Sequence, residues 1–527
     1  MSAKTYDVVI VGGGHNGLTA ACYLSRAGFD VCVLERYHTV GGAAISEEFP
    51  NAPGYIASTG SYVLSLAPRT IIDELDLWEH GLELLERNPR FFMPFPDGEY
   101  LVYWNDDDQV IDQIRRFSER DARNYHYYED FVERACQVMD QFILRPPPSW
   151  SEFAAAFEGS AADARVFQKL ILGSAAVYAE YFFESPYIQA GIAASGLIGT
   201  FRGPRDAGTG YVKLYHSMGM TTGHRGRWAY VRGAMGTVTK ALASVARSHG
   251  AEIRTNTEVE QVIVENGVAC GVAIAGGEEV RGRAVLSNAD PVRTYTTLGD
   301  AAELPEEFLR DINAIQITSP VMKINLAVEE LPRFTVLEGG GREQRWGHTG
   351  GLFIGPTIDA MQRAYEDARQ GRPSDEPFMN IHTQSALDPS VAPEGKHTIS
   401  IFSQYFPYEL AEGTWDQRRD EIARHVLTRF AEYAPNVLDV VVDMQALAPP
   451  DIEARFGLTG GHIFQGELVP EQAFDLRPVP GSKTYEGPVR GLYLCGAGAW
   501  PGGCVMGAPG HNAAHEAIAN LRAGKYG

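Results

Sequence analysis

The stretch from Val8 to Leu24, VVIVGGGHNGLTAACYL, decides the fold. It opens with an apolar, β-branched run that predicts a parallel strand buried on both faces. Gly12, Gly14 and Gly17 then give the spacing GxGxxG. Gly12 permits a tight turn, Gly14 lets a pyrophosphate approach the backbone, and Gly17 lets the next helix pack on the strand. That helix stops at Gly28, and a second strand, FDVCVLER, carries Glu35 at its end. A carboxylate there can accept both hydroxyl hydrogens of an adenosine ribose and would repel a 2'-phosphate. A lone GxGxxG says little. Set between strand and helix, with an acid ending the next strand, it reads as a dinucleotide site.

Working outward, Arg36 and the pair Gly41-Gly42 follow the acid in ERYHTVGGAAISEEF. Adjacent glycines let the backbone run flat against a ligand, and their amides can cradle phosphate. A plain NAD unit does not need this addition. In APGYIASTGSYVLS, Gly60 and Ser61 suit the same scheme, although that segment alone could equally be a loop. A second glycine-rich stretch, GLYLCGAGAWPGGCVMGAPGHN, runs from Gly491 to Asn512 and leads into a helical run, AAHEAIANL. Glycine loops at the two ends of the chain are expected to close on one dinucleotide.

The 527 residues exceed one ordinary core, so two or more domains are expected. The net charge of -22 repels phosphate backbones, which argues against a nucleic acid partner. No pair of the six cysteines has CxxC or zinc-knuckle spacing, so core thiols in a reducing compartment are the first reading and no metal site is expected. No signal peptide or membrane-spanning run stands out. The nearest, Leu170 to Phe201, is interrupted by Glu180, Glu184 and Pro186 and reads as a buried helix pair or a cavity wall. The expected location is the cytoplasm, or the mitochondrial matrix in a eukaryote, with a peripheral membrane contact compatible with either.

In the middle of the chain, Asp108 to Leu144 has helical apolar spacing and is broken by RPPPSW. From Arg232, a glycine turn, a helix and alternating strands separated by ENG and GGEE read as a return to the nucleotide domain through a β-meander. VMKINLAVEEL and KHTISIFSQYF read as strands, and WDQRRDEIARHVLTRFAEYAP as an amphipathic helix. The expected fold class is α/β, a glutathione-reductase-like Rossmann domain with an inserted α+β substrate domain containing an antiparallel sheet. Its expected division assigns 1–75, 225–300 and 485–527 to the nucleotide domain, and 76–224 and 301–484 to the substrate domain.

With these pieces in place, the chain resembles the phytoene desaturase and carotenoid isomerase-like branch of the flavin amine oxidase superfamily. The resemblance rests on VVIVGGGHNGLTAACYLSRAG, on ER with GGAA, on RGAMGTVTKAL with GAEIRTNTEVEQVIVENG, and on GLYLCGAGAWPGGCVMGAPGHNAA. Together with GLTGGHIFQGEL, these motifs look closest to the subgroup called pyridine nucleotide-disulphide oxidoreductase domain-containing proteins. The resemblance implies FAD as cofactor. It implies the Val259 backbone at the adenine, Gly496 near the ribityl-pyrophosphate, and Gly502, Gly503, Val505 and Met506 beneath the flavin ring. It also implies a helix after Pro509 whose positive end faces the flavin. Two departures from the branch are Trp500, where histidine is common, and Cys504, where glycine is common. Packing is the first reading of both. Substrate stacking for Trp500, and a reactive thiol or flavin tether for Cys504, stay open.

The implied activity is hydride transfer from an apolar, polyene-like or amine substrate to flavin, with oxygen or a quinone as acceptor. A redox-neutral isomerase or hydratase, and a non-enzymatic escort of the same fold, are the alternatives. A disulphide reductase would need a closely spaced dithiol, NAD(P)H a second GxGxxG, and a serine hydrolase a GxSxG elbow; none is in the sequence. No catalytic residue is assigned. His216, His224, His382, His462 and His511 are available, and Arg202, Arg205, Arg225, Arg227 and Arg232 form a basic cluster open to a substrate carboxylate, phosphates, a membrane or solvent.

Overall fold

The computed structural model describes residues 4–300, 304–337 and 344–526. Its fold is α/β, built on two seven-stranded sheets. In the first sheet, Thr5–Val11 lies between Val31–Leu34 and Glu279–Ser287, parallel to both. Leu492–Leu494 joins the far end of Glu279–Ser287, also in parallel. The register sets Val11 beside Leu34 and Ser287, and Ser287 beside Leu494. Four strands therefore end on one line, and Gly12, Glu35, Asn288 and Cys495 are the residues that step off it. Ligands of open parallel sheets bind along such a line. Val259–Glu265 and Val268–Ile274 extend the sheet as antiparallel strands.

Helix His15–Arg26 covers one face of this sheet and packs against helices Gly236–Ser248 and Ala508–Arg522. The contact with the C-terminal helix is close enough that a Cβ on Gly510 would stand 2.0 Å from the Asn16 carbonyl oxygen. Glycine is required there because no side chain fits between the two backbones.

The second sheet runs in the order Val441–Leu447, Val321–Val328, His397–Gln404, Phe378–His382, Gly351–Ile354, Phe91–Pro94, Tyr100–Tyr103. Neighbours are antiparallel, except that Phe91–Pro94 runs parallel to Gly351–Ile354. Side chains alternate between its faces with period two. Met322, Ile324, Leu326, Ile401 and Ile381 point to one face, where helix Trp415–Ala431 buries Ile422, Val426 and Phe430 against them. Val321, Lys323, Phe402, Asn380 and His382 occupy the other, which faces the interior of the molecule.

A layer of helices closes that interior. Helices Asp107–Arg115 and Glu119–Asp140 are separate because the Ser118 hydroxyl accepts the Asp121 amide (3.1 Å) and starts a new helix there. Helices Ala175–Phe182 and Pro186–Ala194 form the pair within the apolar stretch, and Thr209–Ser217 crosses beside them.

Candidate functional site

Two adjoining spaces lie between the sheets. A narrow cleft of about 170 Å³ follows the carboxyl ends of the parallel strands, and a chamber of about 320 Å³ lies beyond it. His15, Ala43, Phe456, Leu458 and Ile463 line both, so the two spaces adjoin across these residues.

The cleft is built largely from backbone. Gly12 turns with φ +91° and donates its amide to the Leu34 carbonyl (2.8 Å). Gly14 caps the helix His15–Arg26, which has no acidic residue in its first turn and no side-chain cap, so its amides and positive dipole end are left to a ligand. Gly17 does not line the cleft. A Cβ there would stand 2.3 Å from the Gly12 carbonyl oxygen, so it sets how closely the helix approaches the turn. Gly41 (φ +136°) donates its amide to the Gly13 carbonyl (2.8 Å), which lays Gly41-Gly42-Ala43 along the opposite wall. Glu35 is buried and accepts the amides of Gly13 and Tyr37, each at 2.8 Å. Burial raises its carboxyl pKa, and the two amides oppose that shift. Two lone-pair sites remain for ribose hydroxyls. Val259 lines the cleft beside Thr257 and Glu258. Arg36 lies on the rim and donates to the Ala454 (3.0 Å) and Arg455 (3.1 Å) carbonyls at the end of a helix.

Gly60, Ser61, Cys504 and Val505 line the chamber, and the Ser61 amide is fixed on the Ala43 carbonyl (2.8 Å). Gly496, Gly502, Gly503 and Met506 line neither space. Gly496 presses on Asn288 and Gln465, Gly502 on Leu468, and Gly503 on Phe464, while Met506 is buried and its sulfur accepts the Tyr215 hydroxyl (3.1 Å). The C-terminal loop thus presents Ala497, Cys504 and Val505 to the two spaces, with its glycines and Met506 packed behind. Trp500 is wholly buried. Its indole N–H donates to the Phe142 carbonyl (3.0 Å) and its ring lies on Phe474, so it is a packing residue and stacks on no substrate. Cys504 faces the chamber in a left-handed conformation (φ +66°), and burial pushes its thiol up to about 12.

The basic cluster is spent on ion pairs. Arg202 meets Glu471, Arg205 meets Glu180 and Asp359, Arg225 meets Glu133 and Asp140, Arg227 meets Glu86, and Arg232 meets Glu83. Of the five, only Arg225 reaches the chamber. Of the five candidate histidines, His216 and His382 line the chamber, whereas His224, His462 and His511 line neither space. The His216 Nδ1–H donates to the Val212 carbonyl (2.9 Å), which leaves Nε2 as an acceptor 3.9 Å from the Cys504 sulfur. Burial holds its pKa down to about 4.

Sequence reasoning missed Arg87, Lys323 and Asn380, all on the chamber wall. A signal was present. VMKINLAV and FMNIH carry Lys323 with Asn325, and Asn380 with His382, at alternate positions of otherwise apolar strands. A strand that repeats polar groups on one face while staying buried borders an internal cavity.

The residues fit an FAD. The His15 Nε2 and Asn16 Oδ1 atoms are buried without a partner at the cleft, beside free helix amides and the Glu35 carboxylate. No group of residues that could hold a metal ion occurs among the described residues. Fold and site define an FAD-dependent oxidoreductase. The chain belongs to the flavin containing amine oxidoreductase family, whose model matches residues 17–515. It is 38% identical to pyridine nucleotide-disulfide oxidoreductase domain-containing protein 2 of Rattus norvegicus, over 98% of this chain and 94% of that protein. It is 24% identical to the neurosporene-forming phytoene desaturase of Rhodobacter capsulatus, over 94% of this chain and 90% of that protein. The structure of putrescine oxidase bound to putrescine matches with a TM-score of 0.61 at 16% identity, covering 99% of each chain, a likeness of fold. No helix of the described residues is long and apolar enough to cross a membrane.

Proposed function

We propose that the protein oxidises an organic substrate with an apolar body, held in the chamber, in the manner of a desaturase or oxidase. The observation that carries this reading is that chamber and cleft adjoin across His15, Ala43, Phe456, Leu458 and Ile463. FAD, when bound, supplies an acceptor for the hydride of a substrate C–H bond. Glu35 would hold the adenosine ribose, the amides opening helix His15–Arg26 the pyrophosphate, and Gly41-Gly42 the facing wall. Gly60, Ser61 and Val505 would border the space where the substrate meets the cofactor. Phe402, Phe464, Val321 and Leu458 exclude water there. Once a hydride has left, the substrate must shed a proton, and the His216 Nε2 lone pair on the chamber wall accepts it. Electrons then pass to oxygen or a quinone, because the sequence offers no second dinucleotide turn.

The test is anaerobic addition of candidate substrates to the FAD-loaded protein, followed through the visible flavin band. Bleaching by a substrate that is recovered dehydrogenated, with colour returning on exposure to oxygen or a quinone, is the expected result. Conversion to an isomerised or hydrated product only after the flavin has been reduced in advance would replace this reading with a redox-neutral one.

A further inference from the structure

One corner of the chamber holds two basic side chains without the carboxylates that accompany such groups elsewhere. Arg87 is buried, with 7% of its surface exposed. Its Nε–H donates to the Trp228 carbonyl (3.2 Å), an Nη1–H donates to His382 Nδ1 (3.1 Å), and the guanidinium lies 5.8 Å from the Tyr230 ring centroid. No carboxylate pairs with it among the described residues. Lys323, 2% exposed, donates to the neutral oxygens of Asn325 and Ser400, again without a carboxylate, and burial pushes its ammonium well below the usual lysine range, so the fixed charge of the corner is that of Arg87. Because Arg87 donates to Nδ1, neutral His382 carries its hydrogen on Nε2, and that buried N–H has no acceptor although His382 lines the chamber. Tyr62 packs on the His382 ring (4.7 Å) and joins this corner to Gly60 and Ser61.

The other cations of the chamber show the contrast. Arg90 is paired with Asp107, Arg225 with Glu133 and Asp140, and Lys213 shares its wall with Glu129. Buried cations are ordinarily paired, and an arginine fork beside an unused imidazole N–H matches the planar oxygens of a carboxylate. A protonated amine would meet like charge at this corner.

We infer that the Arg87–His382–Lys323 corner binds a carboxylate, and that the substrate is an apolar molecule ending in one. The inference rests on the chamber being the substrate site. The carboxylate is held as an ion and undergoes no chemistry. It orients the apolar body toward the space bordered by Gly60, Ser61 and Val505.

The experiment is calorimetric titration of the FAD-loaded protein with octanoate, octan-1-ol and octylamine, which share one apolar body. Octanoate is expected to bind about tenfold or more tighter than octanol, and octylamine the weakest. Arg87→Met should weaken octanoate about tenfold or more and leave octanol unchanged, with Arg87→Lys in between because the charge stays and the fork is lost. Should Arg87→Met fail to hold FAD, Lys323→Met supplies the same reading with a smaller loss. Octanoate that binds no better than octanol, or not at all, overturns the inference. So does octanoate affinity that survives Arg87→Met, or that falls only in step with octanol. The two readings fail separately. Octanoate held through Arg87, with no organic acid bleaching the flavin, would sink oxidation alone. A neutral substrate that bleaches the flavin while octanoate is refused would sink the carboxylate site alone.

Discussion

The cleft and the chamber share a wall and are built by opposite means. The cleft is made of backbone: turns at Gly12 and Gly41, free amides at a helix start, and one carboxylate held by two more amides. The chamber is made of side chains that stand on alternate positions of several strands and on helices far apart in sequence. A backbone site needs glycine at fixed spacing, so it is local and rigid. A side-chain site needs only a face, so its residues can change without disturbing the turns that hold the cofactor. On the function proposed above, the molecule thus separates holding FAD from choosing what FAD oxidises.

Substitutions can break or sharpen that contrast. The largest effect belongs to Gly17→Ala. Its Cβ would meet the Gly12 carbonyl oxygen at 2.3 Å, and a backbone oxygen cannot swing aside, so turn and helix must part. FAD affinity should fall roughly 1000-fold, read as the flavin retained through gel filtration. Next is Ile324→Ala on the reverse face of the chamber sheet, expected to cost about 3 kcal/mol in urea unfolding while FAD affinity holds. If the folded variant loses FAD as well, the two regions are not independent. Glu35→Gln removes the charge and puts an NH2, which cannot accept, against the Gly13 or the Tyr37 amide, and should weaken FAD about tenfold in fluorescence titration.

The smallest effect is on acid stability. Burial holds His15, His216 and His348 each down to about 4 from 6.5. Between those values the unfolded chain binds protons that the folded chain does not, so stability is lost as pH falls through that window. His348 lies away from both spaces, with its Nε2–H on the Pro332 carbonyl (2.9 Å). His348→Gln should lower proton uptake on unfolding near pH ~5 by about one, seen as a shallower dependence of the urea midpoint on pH. FAD binding should be unchanged.

The same division explains what could be read in advance. Gly12, Gly14, Glu35, Gly41, Gly42 and Val259 all line the cleft, because turn geometry selects glycine locally and a strand end places the acid. The C-terminal loop was harder to read. Its sequence shows that a loop must approach closely, but not which residues face inward, and Gly496, Gly502, Gly503 and Met506 proved to face its own packing. The arginine cluster stood out by composition, yet composition does not show partners, and each member has a carboxylate. Arg87 sits in ERNPR with nothing beside it to distinguish it, and only the folded sheet brings it to His382.

The strand that opens the fold has a further consequence, for the chain as it is made. Thr5–Val11 pairs on one edge with Val31–Leu34, which follows at once, and on the other with Glu279–Ser287. About 245 residues separate those partners, so at the usual pace of synthesis one edge of an apolar strand waits roughly 12–50 s for its neighbour. An open edge of that kind is a template for pairing with another chain. Expression is therefore expected to be limited by the fate of the nascent chain, and to improve with slower initiation or with chaperones that shield strands.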